Sequence, residues 1–443
     1  LSPNWDAPII LTTTVQFFES LFSARPSRCR KLHRLAKSVI LFDEVQTLPP
    51  KLAVATLAAL SRLAQPDGPY GSSLVFATAT QPAFSSLETR VAQYTPGGWQ
   101  PREIVWRPER LFSAAADRVQ AVWRHETPIP LPDLAAELQQ RDQVLCIVNL
   151  RRHAADLARR LQELGVEHVL HLSTNMCPAH RLRVLGEVRR RLENRLPICL
   201  VATQCVEAGV DLDFPAVYRA IAPLEALVQA AGRCNRHGTR SSGQVIVFRF
   251  ADDRSEYPPD YKYPVGITQT LLKQLQISHD VQNSRILYDP NTMTKYFATL
   301  YKTIGRDETE NYPADEQELW QAIEAGRFDD VERHYRLIPN ITINVLTAYN
   351  PDEQKKLTAE LEHPPDRRDG WVRDWIRRAS RYAVSMFRPP RGSGLANHLQ
   401  PIAFFPKRRA ELEDGSWFLA LPGLPYDDLL GLVAPDNASD WVL

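Results

Sequence analysis

Short apolar runs alternate with amphipathic stretches along the chain as far as about residue 250. Runs of this kind are typical of strands that helices cover on both faces. They predict strands over Val39–Phe42, Leu74–Phe76, Val144–Val148, Val169–Leu172, Ile198–Ala202, Val217–Ile221 and Val245–Phe250. Helices are predicted between them over Val15–Phe22, Leu52–Leu63, Arg152–Leu164, Ala179–Leu192 and Leu224–Cys234. Alternating strands and helices predict an α/β fold built on parallel sheets.

Two breaks in composition predict domain boundaries. Tyr94–Arg110 is rich in proline, glycine and tryptophan, and Asp252–Pro264 combines prolines with charges. They separate residues 1–112, residues 113–252 and residues 253–443. The first two parts are predicted to be α/β domains. The third is predicted to be a linker and accessory domain, with helices over Thr268–Leu275 and Asp315–Ala325 followed by irregular sequence.

Charge and cysteine content narrow the class of protein. The formal net charge of the 443 residues is +1, so any nucleic-acid binding must depend on local charge. The cysteines are Cys29, Cys146, Cys177, Cys199, Cys205 and Cys234. None forms a Cys-x-x-Cys pair, which argues against a zinc site and favours a reducing cytoplasm. The sequence has no long apolar run and no secretory signal pattern, so we expect no membrane partner.

Adjacent carboxylates follow the first predicted strand, in Ser38-Val-Ile-Leu-Phe-Asp43-Glu44-Val-Gln46. This is the layout of a Walker B site, at the strand edge where ligands bind in α/β sheets. Asp43 is the predicted metal ligand, for Mg²⁺, and Glu44 would orient and deprotonate the attacking water. Gln46 is grouped with them as a candidate hydrolysis residue. An exposed Asp-Glu turn is the alternative.

A second strand ends in small hydroxyl residues, in Phe76-Ala-Thr78-Ala-Thr80. Such a turn can hydrogen-bond the acidic strand end one strand–helix unit earlier. Thr78 and Thr80 are therefore candidate cofactor-binding residues, although threonine-rich strand ends are common.

A third motif is Thr203-Gln-Cys-Val-Glu207-Ala-Gly209-Val-Asp211, where a strand passes into a loop. Glycine between acidic residues permits close backbone approach to a phosphate or to another domain. Gly209 and Asp211 are therefore candidate cofactor-binding residues, with an ordinary strand-to-helix loop as the alternative.

The fourth motif is Gln229-Ala-Ala-Gly232-Arg233-Cys-Asn-Arg236. Helical spacing of i, i+4 and i+7 would place Gln229, Arg233 and Arg236 on one face. Two guanidiniums on one face suit the arginine-finger role at a γ-phosphate, with a solvated basic face as the alternative. The order and spacing of the four motifs together favour a helicase.

These motifs resemble superfamily 2 helicases, and most narrowly the type I CRISPR-associated helicase-nuclease family. The match is carried by Thr12–Leu21 with Asp43–Pro49, by Thr203-Gln204 with Glu207–Asp211, and by Tyr426–Leu432, which is similar to the family's closing segment. It covers the chain well to about Phe250 and loosely beyond.

The resemblance implies two RecA-like motor domains, the first incomplete, and a mixed, helix-rich C-terminal region. It implies ATP and Mg²⁺ as cofactors, and single-stranded and double-stranded DNA and an RNA-guided surveillance complex as partners. Asp43 and Glu44 would serve hydrolysis, and Arg233 and Arg236 would sense the γ-phosphate. The predicted DNA contacts are Thr13, Thr14, Gln16 and Thr203.

The sequence departs from the family in two places. No glycine-rich phosphate-binding loop is present, because the lysines of Lys37-Ser38 and Lys302-Thr303 do not follow a glycine. The family's nuclease domain has no counterpart before the motor motifs, and the His279-Asp280 dipeptide lacks companion ligands. With Leu1 as the first residue, we expect a fragment that is inactive alone, rather than a reduced, non-hydrolysing version.

Two basic segments have open interpretations. Arg25–Arg34 contains several cations and no acid, so it could follow a DNA backbone or form a solvated helix face. The segment from Arg367 to Tyr382 interleaves arginines with tryptophans. It could stack single-stranded DNA, or form an amphipathic helix with its tryptophans inward.

Two other functions remain open for the whole chain. One is a general repair or restriction translocase of superfamily 2. The other is a non-catalytic DNA-binding or docking subunit, which the missing phosphate-binding loop favours.

Overall fold

The computed structural model describes residues 4–78, 80, 83–207, 209–251, 257–277, 281–303, 316–337, 342–363, 370–404 and 415–433. The strands are β1 (Val39–Asp43), β2 (Ser73–Ala77), β3 (Val119–Ile129), β4 (Gln143–Ile147), β5 (Val169–Leu172), β6 (Ile198–Ala202), β7 (Ala216–Ala220), β8 (Gly243–Phe250), β9 (Val281–Gln282), β10 (Thr342–Leu346), β11 (Ala383–Phe387), β12 (Leu399–Pro401), β13 (Trp417–Ala420), β14 (Tyr426–Asp427) and β15 (Gly431–Leu432).

The helices are α1 (Thr14–Leu21), α2 (Pro26–Cys29), α3 (Ala53–Ala64), α4 (Glu88–Ala92), α5 (Pro108–Ala116), α6 (Leu131–Gln139), α7 (Arg151–Glu163), α8 (Pro178–Glu193), α9 (Leu224–Ala231), α10 (Pro259–Gln274), α11 (Arg285–Tyr288), α12 (Pro290–Thr303), α13 (Glu316–Glu324), α14 (Phe328–His334), α15 (Pro351–Glu362) and α16 (Trp371–Ala379). The predicted strands are all present within two residues of their expected ends. The α/β fold class is therefore confirmed.

The chain divides into two compact units. The first unit comprises Leu1–Ala115, Gly266–Leu271 and Arg285–Pro339, and the second comprises Ala116–Val265, Leu272–Ser284 and Asn340–Leu443. Helices α11 to α14 thus belong to the first unit, although they follow the second unit's large sheet in sequence. The predicted boundaries at residues 112 and 252 stay predictions.

In the first unit, β1 and β2 pair in parallel, with Val39 opposite Ser73 and Asp43 opposite Ala77. Phe42 on β1 is buried and stacks on Phe18 of α1 with ring centroids 5.4 Å apart. On the opposite face of the same strand, the side chain of Leu41 is 63% exposed. This sheet therefore packs on α1 through one face and leaves part of the other open.

The second unit contains a seven-stranded sheet in the order β5-β6-β4-β7-β8-β3-β9. Its first six strands are parallel and β9 is antiparallel to β3. Strands β6 and β7 are buried along their whole length, as strands with helices on both faces should be. A six-stranded parallel sheet of this kind is consistent with a RecA-like domain.

Strand β3 was missed by the sequence analysis. It reads Val-Gln-Ala-Val-Trp-Arg-His-Glu-Thr-Pro-Ile, where polar residues alternate with apolar ones, and its pairing with β8 shifts between Arg124 and Pro128. Continuous apolar runs, which identify the other strands of this sheet, do not identify this one. A strand near the sheet edge needs only one fully apolar face, so alternation was the signal to use.

The expectation of irregular sequence after the C-terminal helices was wrong. A mixed four-stranded sheet forms there in the order β11-β10-β13-β12, and β14 and β15 form a short antiparallel hairpin. Trp375 of α16 is fully buried and its indole N–H donates to the Leu357 carbonyl at 2.9 Å. The inward-facing interpretation of this tryptophan is confirmed, while Arg367 and Arg368 lie outside the described residues.

The six cysteines all lie in described segments, and all are free thiols. None of the helices in the described segments is both long and apolar enough to cross a membrane. The dipeptide His279-Asp280 lies outside the described residues.

Candidate functional site

The carboxyl end of β1 places the two predicted hydrolysis carboxylates. Asp43 is the last residue of the strand, and Glu44 follows in the left-handed region with φ of 53°. The Glu44 backbone N–H donates to Asp43 Oδ1 at 3.1 Å, and the Thr47 hydroxyl donates to the Glu44 carbonyl at 2.8 Å. A left-handed non-glycine residue costs about 1 kcal/mol or more, and such conformations concentrate at functional sites. These local hydrogen bonds hold Glu44 in that conformation.

A hydrogen-bonded chain connects Glu44 to the end of β2. The Gln46 side-chain amide donates to Glu44 Oε2, and the Thr78 hydroxyl donates to Gln46 Oε1. The Thr80 backbone N–H in turn donates to the Thr78 hydroxyl at 3.0 Å. Because β1 and β2 are parallel and end opposite each other, the predicted residues Glu44, Gln46, Thr78 and Thr80 come together.

Asp43 is the predicted metal ligand, and its side chain is exposed at the strand end. The described residues contain no cluster of three or more His, Cys, Asp or Glu side chains that could hold a metal ion. Magnesium commonly binds through one or two carboxylates, with waters and substrate phosphates completing the shell. An exposed carboxylate at a strand end fits that kind of site.

The predicted DNA-contacting residues of the first unit lie at the start of α1. Thr13 caps the helix, since its hydroxyl accepts the Gln16 backbone N–H at 3.1 Å, and Thr14 is the first helical residue. The Thr12 hydroxyl donates to Gln16 Oε1 at 3.1 Å. Thr13 and Gln16 are exposed. Thr13 therefore has a structural role as the N-terminal cap of α1.

Part of the positive charge of the basic segment that follows α1 is paired with carboxylates within the first unit. Arg25 and Arg28 lie 3.6 and 3.8 Å from the carboxylate of Glu332, and Arg34 lies 3.2 Å from that of Asp6. Lys31 is buried, with its ammonium 4.8 Å from the Trp5 ring. These contacts reduce the positive charge that the segment presents to a DNA backbone.

In the second unit, a loop leaves the carboxyl end of β6. Thr203 is buried, and its hydroxyl donates to Cys205 Sγ at 3.6 Å. Gly209 has φ of 70°, a conformation that favours glycine, and a Cβ there would meet no atom within 4 Å. Backbone conformation therefore explains this glycine without any close contact in the described structure. Asp211 is exposed, and its Oδ1 lies 2.8 Å from Arg236 Nε.

The helix predicted over Leu224–Cys234 extends too far at its C-terminal end, so this part of the prediction was wrong. Helix α9 ends at Ala231, with Gly232 as its cap, so Gln229 is helical while Arg233 and Arg236 lie in the turn beyond. The turn forms because the Phe214 backbone N–H donates to the Arg233 carbonyl at 2.9 Å, and the Asn235 N–H donates to the Phe214 carbonyl at 3.0 Å. The three side chains therefore do not share a helical face.

The two arginines have different environments. Arg233 is buried, and its guanidinium donates to the Val206 carbonyl at 3.0 Å and to the Glu207 carbonyl. Arg236 has a side chain that is 43% exposed and pairs with Asp211. A guanidinium committed to two backbone carbonyls fixes a loop, whereas an exposed one can exchange a carboxylate for a phosphate.

A buried ion pair, which sequence reasoning missed, joins the loop after β6 to strand β7. Arg219, the last residue but one of β7, is fully buried, and its Nη2 lies 2.8 Å from Glu207 Oε1. Its Nη1 donates to Asn149 Oδ1 at 2.7 Å. Burial raises the pKa of Glu207, and the Arg219 guanidinium opposes that shift. The sequence contained a signal for this pair, because Arg219 lies within the predicted strand Val217–Ile221, and a buried guanidinium requires an acidic or hydrogen-bonding partner.

Known proteins are similar to this chain both in sequence and in fold. The family model described as CRISPR-associated nuclease/helicase Cas3, C-terminal, matches residues 140–239. The CRISPR-associated nuclease/helicase Cas3 of Haloferax volcanii is 48% identical over 81 residues, which are 18% of this chain and 9% of that protein. Residues 140–239 of this chain are therefore similar to the C-terminal part of Cas3.

Two solved structures extend the Cas3-like fold over nearly all of the chain. T. fusca Cas3 with AMPPNP aligns with a TM-score of 0.63 and 16% identity, covering 95% of this chain and 57% of that one. A chain of a CRISPR RNA-guided surveillance complex, pre-nicking, aligns with a TM-score of 0.60 and 15% identity, covering 97% and 60%. The chain thus spans less than two thirds of the length of these two proteins.

Proposed function

We propose that this Cas3-like chain supplies motor elements of an ATP-driven DNA translocase, which unwinds target DNA for degradation in CRISPR defence. The observation that carries the proposal is the hydrogen-bonded chain from Glu44 through Gln46 to Thr78. A general base needs a fixed orientation toward the water that it deprotonates. The Gln46 amide supplies that orientation from one side of the Glu44 carboxylate.

The remaining parts of hydrolysis are assigned by exposure and charge. Asp43 would hold Mg²⁺, which supplies charge neutralisation for the phosphates when bound. Arg236 is the proposed contact to the γ-phosphate, because its guanidinium is exposed and its charge is paired with the exposed carboxylate of Asp211. Arg233 would position the segment that carries Arg236, because its guanidinium donates to the Val206 and Glu207 carbonyls. Gln229 stays a proposed hydrolysis residue. Thr80, Gly209 and Asp211 stay proposed cofactor-binding residues.

DNA is the proposed track, single-stranded or double-stranded. Thr13, Thr14 and Gln16 are proposed as contacts at the start of α1, where Thr13 and Gln16 are exposed. Thr203 is proposed as a contact at the end of β6. The proposed partner is an RNA-guided surveillance complex, since one structural neighbour belongs to such a complex.

Two alternative functions would give different results in assays of ATP hydrolysis and DNA binding. A repair or restriction translocase would hydrolyse ATP with DNA but would not respond to a surveillance complex. A non-catalytic docking subunit is favoured by one feature, since no glycine-rich loop ending in Gly-Lys-Ser or Gly-Lys-Thr occurs among the 443 residues. Such a subunit would bind DNA without any turnover that depends on Glu44.

Phosphate release with saturating single-stranded DNA tests the proposal. We expect almost none from residues 1–443 alone, because positioned charges act only on a nucleotide that is held against them. Adding a polypeptide that carries a phosphate-binding loop, in cis or in trans, should produce DNA-stimulated release. Glu44→Gln should abolish this release and retain nucleotide binding, while Glu193→Gln, at an exposed carboxylate of α8, should leave it unchanged.

One result would contradict the expected inactivity of residues 1–443 alone, and a second would contradict the proposal itself. Release from residues 1–443 alone that depends on Glu44 would show that no added loop is needed. Release in the complemented enzyme that survives Glu44→Gln would remove this carboxylate from the mechanism.

A further inference from the structure

Arg219 occupies a position that favours apolar residues. It lies on β7, between β4 and β8 in the large sheet, and every residue of this strand is buried. None of its side chain is exposed, and its partner Glu207 is only 5% exposed. Removing two such charges from water costs several kcal/mol per ion, which their attraction repays only in part. A gain in stability over apolar residues therefore does not account for this pair.

The contacts of Arg219 join the ends of three strands. It meets Glu207, beyond the end of β6, at 2.8 Å and Asn149, beyond the end of β4, at 2.7 Å. The Asn149 side-chain amide donates to the Ile221 carbonyl, beyond the end of β7, at 2.8 Å. The Gln204 amide donates to the Asn149 carbonyl at 3.0 Å. One buried guanidinium thus fixes the spacing of these loops.

The loop after β6 is also held from its other side. Arg233 donates to the carbonyls of Val206 and Glu207, so Glu207 is bound through both its side chain and its backbone. Thr203 begins this loop, and Asp211, which pairs with Arg236, lies farther along it. Glu207 therefore lies between these two residues in sequence and is held from two sides.

We propose that Arg219 and Glu207 are positioning residues, which hold Thr203 at one end of the loop after β6 and residues 209–213 at the other, in the places from which the chain contacts DNA. The inference rests on the proposed function for its assignment of Thr203 to DNA. The pair itself touches neither DNA nor nucleotide. It replaces the adaptable packing of an apolar core with a fixed set of distances between strand ends.

Single-stranded DNA binding by residues 1–443, measured by fluorescence anisotropy, tests the inference beside urea unfolding of the same variants. The double variant Glu207→Met/Arg219→Met removes one charge of each sign, so the net charge does not change. The matched control is Glu187→Met/Arg190→Met, an exposed pair on α8 with 2.7 Å between Nη2 and Oε1. Glu207→Gln is a second variant that keeps the size of the side chain.

We expect the buried double variant to unfold at the same urea concentration as the unmodified chain, or at a higher one. Its affinity for DNA should fall at least tenfold, and Glu207→Gln should also weaken binding, while the exposed control should do neither. Thr203→Val should weaken binding by the unmodified chain and have little further effect in the buried double variant. A purely structural role would not produce this loss of additivity.

Three results would overturn the inference. One is a folded buried double variant with unchanged DNA affinity. Another is full additivity with Thr203→Val. The third is a buried double variant and a Glu207→Gln variant that both lose affinity only in proportion to the unfolded fraction. If the unmodified chain itself binds no DNA, the proposed function fails, and the inference fails with it.

Discussion

At the scale of residues, Arg233 and Arg236 show how burial separates two side chains that the sequence presents as equals. The Arg233 guanidinium is committed to two backbone carbonyls, and the Arg236 guanidinium is exposed beside one carboxylate. Buried hydrogen-bonded groups are costly to remove, and exposed ion pairs contribute little to stability. The two arginines should therefore differ in what their loss does to the protein.

Alanine substitution separates these roles. In the complemented enzyme, Arg236→Ala should lower DNA-stimulated phosphate release by about 10³-fold, on the scale of arginine fingers, with no change in unfolding. Arg233→Ala should lower the free energy of unfolding by about 2–4 kcal/mol, because it leaves buried carbonyls unpaired. Urea unfolding and phosphate release measure the two effects. Equal effects of the two substitutions on both quantities would contradict the assignment.

Two buried histidines of the second unit should make its stability depend on pH. Burial lowers the pKa of His171 to about 3, and burial, aided by the nearby charge of Arg183, lowers the pKa of His180 to about 4. Both values lie below the unfolded value of about 6.5, so protonation favours the unfolded state. Their contribution to stability is present above about pH 6.5 and is lost progressively as pH falls from there to the folded values.

Urea unfolding at pH 7 and pH 5 measures this dependence. The free energy of unfolding should be lower at pH 5 by on the order of a few kcal/mol. His171→Gln should reduce the difference between the two pH values, because the unfolded state then takes up one proton fewer. The control is His363→Gln, at an exposed position beyond α15, which should leave the difference unchanged. An equal difference in all three proteins would rule out His171 as a source.

At the scale of elements, the hairpin of β14 and β15 approaches the segment after β5 most closely at one glycine. Gly431 has φ of 84°, and a Cβ there would lie 2.4 Å from the Asn175 carbonyl oxygen. The next residue, Leu432, donates its backbone N–H to that oxygen at 2.8 Å. Both the backbone conformation and the close approach therefore require glycine.

Gly431→Ala should lower the free energy of unfolding by about 2–4 kcal/mol, because it combines a disfavoured φ with a backbone clash. Gly186→Ala is the matched comparison, since Gly186 lies within α8 and a Cβ there meets no atom within 4 Å. That substitution should stabilise the protein by about 0.5–1 kcal/mol. Thermal or urea unfolding of the two variants would contradict this account if both shifts had the same sign.

At the scale of the whole molecule, a net charge of +1 gives DNA little general attraction. Several cations of the 25–34 segment already pair with carboxylates, so binding should depend on few phosphate contacts. With about three to five contacts, the logarithm of affinity for single-stranded DNA should fall against the logarithm of salt concentration with a slope of roughly −2 to −3.5. Anisotropy titrations at several salt concentrations give this slope. A slope near zero would show that backbone contacts do not drive binding.

The sequence by itself determined the buried strands and the residues at their ends. Strands β1 and β6 are apolar runs that can be recognised from a few neighbouring residues, and Asp43 and Thr203 follow directly from where those runs stop. Side chains one strand apart then meet because parallel strands end at the same edge, as Glu44 and Thr78 do through Gln46.

Only the tertiary structure decided the features that depend on distant partners. Helix α9 ends early because Phe214 pairs with the chain around Arg233, which local periodicity does not record. The pair of Arg219 with Glu207 likewise joins two strand ends separated in sequence. The C-terminal sheet brings β10 beside β13, whose pairing register is set across many intervening residues. Local patterns fix where a strand or helix can form, whereas burial and long-range hydrogen bonds decide where it stops and which charges remain exposed.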